Sequence, residues 1–482
     1  MRNNRRNFLK AAGLTGLSTL GGVGVLKSLA GNRNNPDDGT SHVFRHPARK
    51  PQSPSFNMSG YAAPKIDTVR VGFIGLGQRG PAHVKNMNTL ENVEIKALCD
   101  LRPEKVDAAK KLLDGSTNTP ALYTGKSDVW KQLCERNDID LVFLATPWDL
   151  HTPMALYAME HGKHVCVEVP AAVTTEQCWQ LVETSEKTRK YCMMMENCCY
   201  DFFELLTLNM ARQDFFGEII HCEGSYIHNI FDEIFSRHAY WNMWRFRQNT
   251  HRNGNLYPTH GLGPLCQIMN INRGEKMDYM ISMSGNDFMM GARAKKLAAS
   301  DDFFKPFVNT SFRGNMNTSV IRTHTGRTIM VQHDVTSPNI YSRIHKVSGT
   351  KGSALKYPLP GRISVSSGDD WLTDDKIEEV KKKYEPDIVK KVGELAKKVG
   401  GHGGMDFLMD WRTIDCLRNG LPLDEDVYDA ALWSVISPLS EWSVANHSKA
   451  IEVPDFTRGA WATNKPVNLT IDHANLTSIK QA

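Results

Sequence analysis

Three glycines at a fixed spacing, Gly75, Gly77 and Gly80, follow an apolar run and precede a helical pattern. In this setting the first glycine permits a tight turn, the second lets a diphosphate approach the backbone, and the third lets helix and strand pack closely. Unpaired N–H groups at the start of the helix favour phosphate oxygens. The spacing therefore predicts a dinucleotide-binding turn, in which Gln78 and Arg79 also lie.

An acidic residue at the end of the next predicted strand indicates which dinucleotide binds. Asp100 ends the run at residues 93–100, twenty residues after Gly80. Its carboxylate can accept a hydrogen bond from a ribose 2′-hydroxyl and would repel a 2′-phosphate. We therefore expect NAD rather than NADP. A glycine-rich surface turn is the alternative, but the strand, the spacing and the acid together favour the dinucleotide site.

A histidine in a turn-like segment is a second candidate for chemistry. His260 follows Pro258 and Thr259 at a predicted helix start, and Pro258 disfavours a helical conformation at Tyr257. Tyr257 and His260 are therefore expected to project from a fixed bend. A histidine that titrates near neutral pH suits general acid/base work, and a hydrogen-bonded structural role is the alternative.

Alternating strand and helix patterns surround the glycine turn. Predicted strands at 141–147, 164–170 and 191–199 alternate with predicted helices at 151–161 and 174–190. This alternation is typical of an α/β fold with a doubly wound parallel sheet.

The pattern changes after Asn197, where a predicted helix at 202–212 leads into β-rich runs. These runs lie at 218–228, 319–325, 328–336 and 341–356, with hairpin turns at 326–327 and 349–352. We expect an α+β domain with an open, mostly antiparallel sheet. The highly charged stretch 373–399 is interpreted as a solvated helical excursion.

The N-terminal residues have the pattern of an export signal. Arg5 and Arg6 are followed by Phe8, Leu9 and a weakly apolar stretch, which matches the twin-arginine pattern better than an ordinary Sec signal or an N-terminal anchor. We therefore expect a periplasmic or secreted protein that the twin-arginine machinery carries in the folded state. The expected organisation is a signal peptide (1–30), a linker (31–65), an NAD-binding Rossmann domain (66–196), an α+β substrate and oligomerisation domain (197–450) and a C-terminal tail (451–482).

Composition limits the partners of the chain. Its 482 residues suggest two domains, and the formal net charge of +5 comes without a sustained basic stripe, so nucleic acid is not expected. No run of membrane-spanning quality follows residue 30, so no stable membrane insertion is expected. The ten cysteines form no CxxC pair and match no zinc spacing, and they are interpreted mostly as small buried residues.

Further segments make the chain similar to a known family. The residues 145–147, His151 and 168–170 resemble the Gfo/Idh/MocA oxidoreductases over about residues 66–450. Residues 168–172 and 257–264 are more specific and resemble glycoside hydrolase family 109, the NAD-dependent α-N-acetylgalactosaminidases. The dehydrogenases of the wider family usually carry lysine where this chain has Val169, which favours the glycosidase branch.

The resemblance implies a redox-neutral hydrolysis of terminal α-N-acetylgalactosamine. Bound NAD⁺ oxidises C3 of the sugar, the resulting ketone acidifies the C2 proton, and the glycosidic oxygen leaves C1 by elimination. Water then adds at C1, and the reduced cofactor restores C3, so no NAD is consumed. A periplasmic sugar oxidoreductase with net turnover and a non-catalytic sugar- or dinucleotide-binding protein are the alternatives.

The resemblance also implies roles for particular residues. His260 and Tyr257 are the expected catalytic residues, with Glu196 and His151 as lesser acid/base candidates. The expected sugar-binding residues are Tyr226, Arg245, Tyr257, Pro258, Thr259, His260 and Tyr341. The expected cofactor-binding residues are Gly75, Gly77, Gln78, Arg79, Gly80, Asp100, Trp148, Asp149, Leu150, His151, Glu168, Val169, Asn197 and Tyr257.

No metal is expected, because the C3 ketone supplies the acidification. The segment 401–404 with Asp406 and Asp410 is interpreted as a glycine-rich turn that opens a helix near the cleft. His83 is assigned only a place in a helix. The sequence leaves the oligomeric state open. The family's β-sheet face often pairs subunits, so by analogy a homo-oligomer is possible for this chain.

Overall fold

A computed structural model of the chain describes residues 43–46, 56–365, 370–469, 471, 473 and 475–480. The predicted export signal and most of the predicted linker lie outside the described residues, so both remain predictions. From Phe44 onward the chain forms one compact unit.

Six parallel strands form the first sheet, in the order β3-β2-β1-β4-β5-β6. The central strands are apolar on both faces because helices cover the sheet on both sides. This confirms the predicted doubly wound sheet. The strands are β1 (Val69–Ile74), β2 (Val93–Cys99), β3 (Ala121–Tyr123), β4 (Leu141–Leu144), β5 (His164–Val167) and β6 (Cys192–Met194).

Several predicted boundaries in this half were wrong. The strand expected at 164–170 ends at Val167, and the helix expected from residue 151 begins three residues earlier. The strand expected at 141–147 ends at Leu144, and the following helix already begins at Trp148, directly after Pro147. The strand expected at 191–199 ends at Met194. The Glu196 side chain then accepts a hydrogen bond from Cys198 N and caps a 3₁₀ turn, Asn197–Tyr200, so Asn197 begins a turn rather than ending a strand.

Eight strands form the second sheet, in the order β13-β12-β11-β7-β10-β9-β8-β14. All neighbouring strands are antiparallel except β7 and β10, so the predicted mostly antiparallel sheet is confirmed. The strands are β7 (Ile219–Ile227), β8 (Met277–Ser284), β9 (Asn317–Thr323), β10 (Thr328–Asp334), β11 (His345–Gly349), β12 (Gly352–Lys356), β13 (Arg362–Val365) and β14 (Ile451–Glu452).

Helices cover both faces of the parallel sheet and one face of the antiparallel sheet. They are α1 (Gly80–Asn88), α2 (Pro103–Lys111), α3 (Trp130–Cys134), α4 (Trp148–Glu160), α5 (Thr175–Thr188), α6 (Phe202–Arg212), α7 (Phe231–Ile234), α8 (Trp244–His251), α9 (Thr259–Ile268), α10 (Met290–Leu297), α11 (Asp374–Tyr384), α12 (Asp387–Val399), α13 (Met405–Asn419) and α14 (Val427–Ala445). Two of them join the halves, since α13 packs against α1 and α14 packs against both β6 and β8.

The charged segment 373–399 is helical, but the prediction that it is solvated was wrong for its second part. Helix α12 buries Ile388, Val389 and Val392 and packs against α13. Its lysines lie on the opposite face, so the high charge of the stretch hid an amphipathic helix.

Two simple expectations can be compared with the structure. All ten cysteines are buried and free. Within the described part of the chain, no helix is long and apolar enough to cross a membrane.

Helix α9 and strand β7 touch backbone to backbone at two glycines. A Cβ atom at Gly261 would lie 2.5 Å from Ser225 N, and a Cβ atom at Gly224 would lie 2.2 Å from the carbonyl oxygen of Gly261. The contact fixes the start of α9, which carries His260, against the strand that carries Tyr226.

We expect Gly261→Ala to lower the free energy of unfolding by about 1–3 kcal/mol, because the added methyl group overpacks a contact between two backbones. Urea denaturation measures the change. Gly285→Ala is the matched control, since its Cβ would approach only Met316 O, at 3.8 Å. Equal effects of the two substitutions would contradict the proposed close contact.

Candidate active site

A cavity of about 530 Å³ lies where the C-terminal ends of the parallel strands meet the antiparallel half. This is the edge at which open α/β sheets bind ligands. Most of the predicted site residues line it: Gly75, Gly77, Gln78, Arg79, Asp100, Trp148, Leu150, His151, Glu168, Val169, Asn197, Tyr226, Arg245, Tyr257 and His260. The structure thus brings the predicted cofactor and sugar residues into one cavity.

Five predicted residues do not line this cavity. Gly80 lies beneath the glycine turn, and Pro258 and Thr259 are buried at the start of α9. The Asp149 carboxylate accepts hydrogen bonds from Gln248 Nε2 at 2.9 and 3.0 Å. The ring of Tyr341 packs edge-on against His228, which does line the cavity, with 4.8 Å between the ring centroids.

The glycine turn fits a bound dinucleotide. Gly75 has a φ of +94°, and a Cβ atom there would lie 2.4 Å from Ala145 O. At Gly77 a Cβ atom would meet only Arg102 Nη2, at 3.8 Å, so a ligand can approach the backbone at this residue. The helix α1 begins directly after the turn. Because Pro81 has no N–H and Ala82 N donates to Arg79 O at 3.1 Å, the Gly80 N–H is the donor that the first turn of the helix offers to a diphosphate.

Asp100 lies at the expected edge of this turn. Its carboxylate accepts hydrogen bonds from Leu76 N at 2.8 Å and from Arg102 N at 2.9 Å, which fixes its position on the cavity wall. The Arg102 guanidinium in turn lies 4.8 Å from the ring centroid of Trp241, a residue of the second half that also lines the cavity. The Arg102–Trp241 contact was not predicted, because it joins residues distant in sequence.

Glu168 is a buried carboxylate held by two cations. Its Oε1 atom lies 2.9 Å from Arg79 Nε and 2.9 Å from His83 Nε2. Burial alone would raise the pKa of Glu168, but Arg79 and His83 outweigh it and hold the pKa at about 2. Glu168 is therefore ionised at neutral pH.

Helix α13 contributes Asp406 to the same region. Its carboxylate accepts hydrogen bonds from Asn197 Nδ2 at 2.5 Å and from Arg79 Nη1 at 3.1 Å, and it lies 2.8 Å from His402 Nδ1. Burial opposes the charge on Asp406, but His402 and Arg79 lower its pKa. The expected glycine-rich turn does open this helix near the cavity, but the contacts of Asp406 were not predicted.

His260 and Glu196 form a hydrogen-bonded pair beside the cavity. The distance between His260 Nδ1 and Glu196 Oε1 is 2.7 Å, and Glu196 is fully buried. Burial opposes the charge on Glu196, but the contact with His260 outweighs it and lowers the pKa of the carboxyl. With Nδ1 engaged, Nε2 is the nitrogen of His260 that remains for proton transfer.

Three aromatic rings surround the guanidinium of Arg245. Its Cζ atom lies 5.2 Å from the ring centroids of Trp148 and Tyr257 and 5.3 Å from that of Tyr240. Arg245 is buried, and the described residues place no carboxylate in an ion pair with it. A buried cation with free donors suits hydroxyl or carbonyl oxygens of a ligand.

His151 is a weaker candidate for acid/base work than His260. Its Nδ1 lies 2.8 Å from Pro170 O and its Nε2 lies 2.7 Å from Thr146 O, so carbonyl oxygens engage both ring nitrogens. Burial lowers the pKa of His151. This histidine therefore holds the wall of the cavity in place.

Glu196, Cys198 and His260 form a group whose geometry would admit a metal ion, with ligand atoms within 4.8 Å of one another. However, burial raises the pKa of the Cys198 thiol well above its usual value. Two of the three members of this group, Glu196 and His260, are already hydrogen-bonded to each other.

Two family models match the chain. One, described as the C-terminal domain of glycosyl hydrolase 109, matches residues 200–463. The other, described as an oxidoreductase family with an NAD-binding Rossmann fold, matches residues 69–196.

Curated relatives are similar over most of the chain. A glycosyl hydrolase family 109 protein 1 from Bacteroides fragilis is 49% identical over 418 residues, which cover 83% of this chain and 88% of that protein. A protein from the same organism named alpha-N-acetylgalactosaminidase is 49% identical over 407 residues, covering 83% and 95%. A family 109 protein from Shewanella pealeana is 45% identical over 473 residues, covering 97% and 99%.

Solved structures share the fold at low sequence identity. A levoglucosan dehydrogenase in complex with NADH has a TM-score of 0.60 and 17% identity, covering 80% of this chain and 100% of that one. A scyllo-inositol dehydrogenase from Lactobacillus casei with bound NAD(H) has a TM-score of 0.56 and 14% identity, covering 80% and 99%. Together with the matched NAD-binding domain, the fitting glycine turn confirms NAD as the cofactor.

The position of Asp100 predicts a preference for the cofactor without a 2′-phosphate. We expect the protein to bind NADH at least about tenfold more tightly than NADPH, and Asp100→Asn to reduce that ratio, because the repelling charge is removed while the side-chain shape is kept. Fluorescence titration of both cofactors measures the ratio. Asp107→Asn, an exposed change on α2, is the control, and a ratio that Asp100→Asn leaves unchanged would refute the assignment.

Proposed function

Because this chain belongs to glycosyl hydrolase family 109, we propose that it removes terminal α-N-acetylgalactosamine residues from glycans with NAD held through each turnover. The name of one relative supports the choice of sugar. The observation that carries the proposal is that His260, which is hydrogen-bonded to the buried Glu196, lines the same cavity as the dinucleotide turn.

The proposed role of His260 is to move the proton at C2 of the sugar. Bound NAD supplies reversible oxidation at the neighbouring carbon, which makes that proton acidic enough for a modest base. His260 Nε2 accepts the proton, and Glu196 orients the ring through Nδ1 and stabilises the imidazolium that forms. Proton transfer of this kind requires no second carboxylate beside the glycosidic bond.

Tyr257 is suited to donate a hydrogen bond. Burial raises the pKa of its hydroxyl well above the usual value, so the group stays protonated. Its ring stacks on Trp148, with 5.8 Å between the centroids, and meets His260 edge-on at 4.8 Å. We assign it to the leaving glycosidic oxygen or to a sugar hydroxyl next to His260.

Val169 supports hydrolysis over net oxidation. It is buried in the cavity wall at the position where the wider family's dehydrogenases usually carry lysine. Its side chain has no proton to transfer, so proton transfer falls to His260. Arg245 supplies donors for the sugar hydroxyls or for the acetamido carbonyl oxygen.

The protein as purified is expected to release nitrophenol from 4-nitrophenyl α-N-acetylgalactosaminide without added cofactor. In deuterated water the product should carry solvent deuterium at C2, because the C2 proton is lost and regained during each cycle. Mass spectrometry and proton NMR measure the label. Accumulated NADH with an oxidised sugar would instead indicate a net oxidoreductase, and hydrolysis without label would exclude the elimination route.

Glu196→Gln should lower kcat by about 100-fold or more, because the amide no longer stabilises the His260 imidazolium. The NAD content of the variant should stay at the wild-type level, since Glu196 acts on His260 rather than on the cofactor. Steady-state kinetics and cofactor release by acid precipitation measure the two quantities.

The matched control is Glu186→Gln, which removes another buried carboxylate, one that pairs with Tyr428 and Arg458 away from the cavity. Its kcat should remain near that of the wild type. If Glu196→Gln hydrolyses the substrate at the rate of this control, the proposed pair does not act in proton transfer.

A further inference from the structure

Helix α13 carries a second carboxylate, Asp410, one turn after Asp406. Like Asp406, it contacts the NAD-binding half. Asp410 is fully buried and does not line the cavity. Its two carboxylate oxygens lie 2.9 and 2.8 Å from His83 Nδ1, and Oδ2 also accepts a hydrogen bond from Asn86 Nδ2 at 2.8 Å. Both partners lie on α1, the helix that follows the glycine turn.

His83 connects Asp410 to the cavity wall. Its side chain is fully buried, its Nδ1 faces Asp410 and its Nε2 lies 2.9 Å from Glu168 Oε1. Since a carboxylate faces each ring nitrogen, only the doubly protonated imidazolium can donate to both. Burial opposes that charge, but Asp410 and Glu168 outweigh it and raise the pKa of His83 to about 9.

The series of contacts from Asp410 through His83 ends at Glu168, which lines the cavity and is also bonded to Arg79. We propose that Asp410 and His83 are positioning residues, which hold the Glu168 carboxylate in the orientation that binds NAD. The proposal concerns cofactor binding and does not depend on which sugar the enzyme hydrolyses.

The three buried groups depend on one another, because each charge is neutralised by its neighbour. Without the Asp410 charge, a buried imidazolium loses its main partner and gives up its proton. The neutral ring then has a single N–H to share between two sides, so Glu168 can lose a donor and rotate away from Arg79. A substitution that never touches the cavity thereby alters a residue of its wall.

A double-mutant cycle on NAD⁺ binding tests whether Asp410 acts through Glu168. We expect Asp410→Asn and Glu168→Gln each to raise the dissociation constant for labelled NAD⁺ at least about tenfold in equilibrium dialysis. The double variant should bind only about as weakly as the weaker single variant, because both changes remove the same positioned carboxylate. A purely structural role of Asp410 would instead make the two fold-changes multiply.

Asp415→Asn is the matched control, since Asp415 is a buried carboxylate of the same helix that bonds Thr477 and Asn419 instead. This change is expected to leave the dissociation constant for NAD⁺ near the wild-type value even where it lowers the melting temperature. If Asp410→Asn does not fold, His83→Phe replaces it in the cycle, because phenylalanine keeps a ring of similar size but gives Glu168 no donor.

The proposal is overturned if Asp410→Asn binds NAD⁺ as tightly as the wild type, or if its effect multiplies with that of Glu168→Gln. Because no glycoside is present in the dialysis, a failure here leaves the proposed hydrolysis untouched. Conversely, an absence of glycosidase activity would not alter the outcome of the cycle.

Discussion

The site depends on keeping two buried carboxylates ionised, one in the wall of the cavity and one bonded to a histidine of that wall. Glu168 and Glu196 are both buried, where an unpaired charge would cost several kcal/mol. Each is therefore bonded to cationic or proton-donating groups: Arg79 and His83 hold the first, and His260 holds the second. The positions of these donors fix where the cofactor turn, α1 and α9 must lie.

The two carboxylates connect the halves of the molecule through different contacts. Glu168 directly follows strand β5 of the NAD-binding half but is stabilised through α13 of the second half. Glu196 lies at the junction and orients a histidine from α9. Under the proposed function, NAD and the His260–Glu196 pair would serve a single substrate, and an oxidoreductase fold would in this way support hydrolysis.

Local patterns made much of the fold predictable. The glycine turn, Asp100 and the buried parallel strands were identified because each depends on neighbours in sequence. His260 and Tyr226 were proposed from motif similarity, but their meeting depends on the close contact of Gly224 with Gly261. The chain from Asp410 through His83 to Glu168 was not predicted, since its members are far apart in sequence and none has a distinctive local pattern.

Asp410 lies far beyond His83 and Glu168 in the sequence, and this separation bears on the order in which the protein folds. His83 and Glu168 are synthesised long before Asp410. A nascent NAD-binding half therefore has the residues of its glycine turn but lacks the carboxylate that faces His83. If Asp410 positions Glu168 as proposed, the cofactor site reaches its final form only when the second half has been made and α13 has docked. A protein assembled in this order would gain its full affinity for NAD only at the end of synthesis.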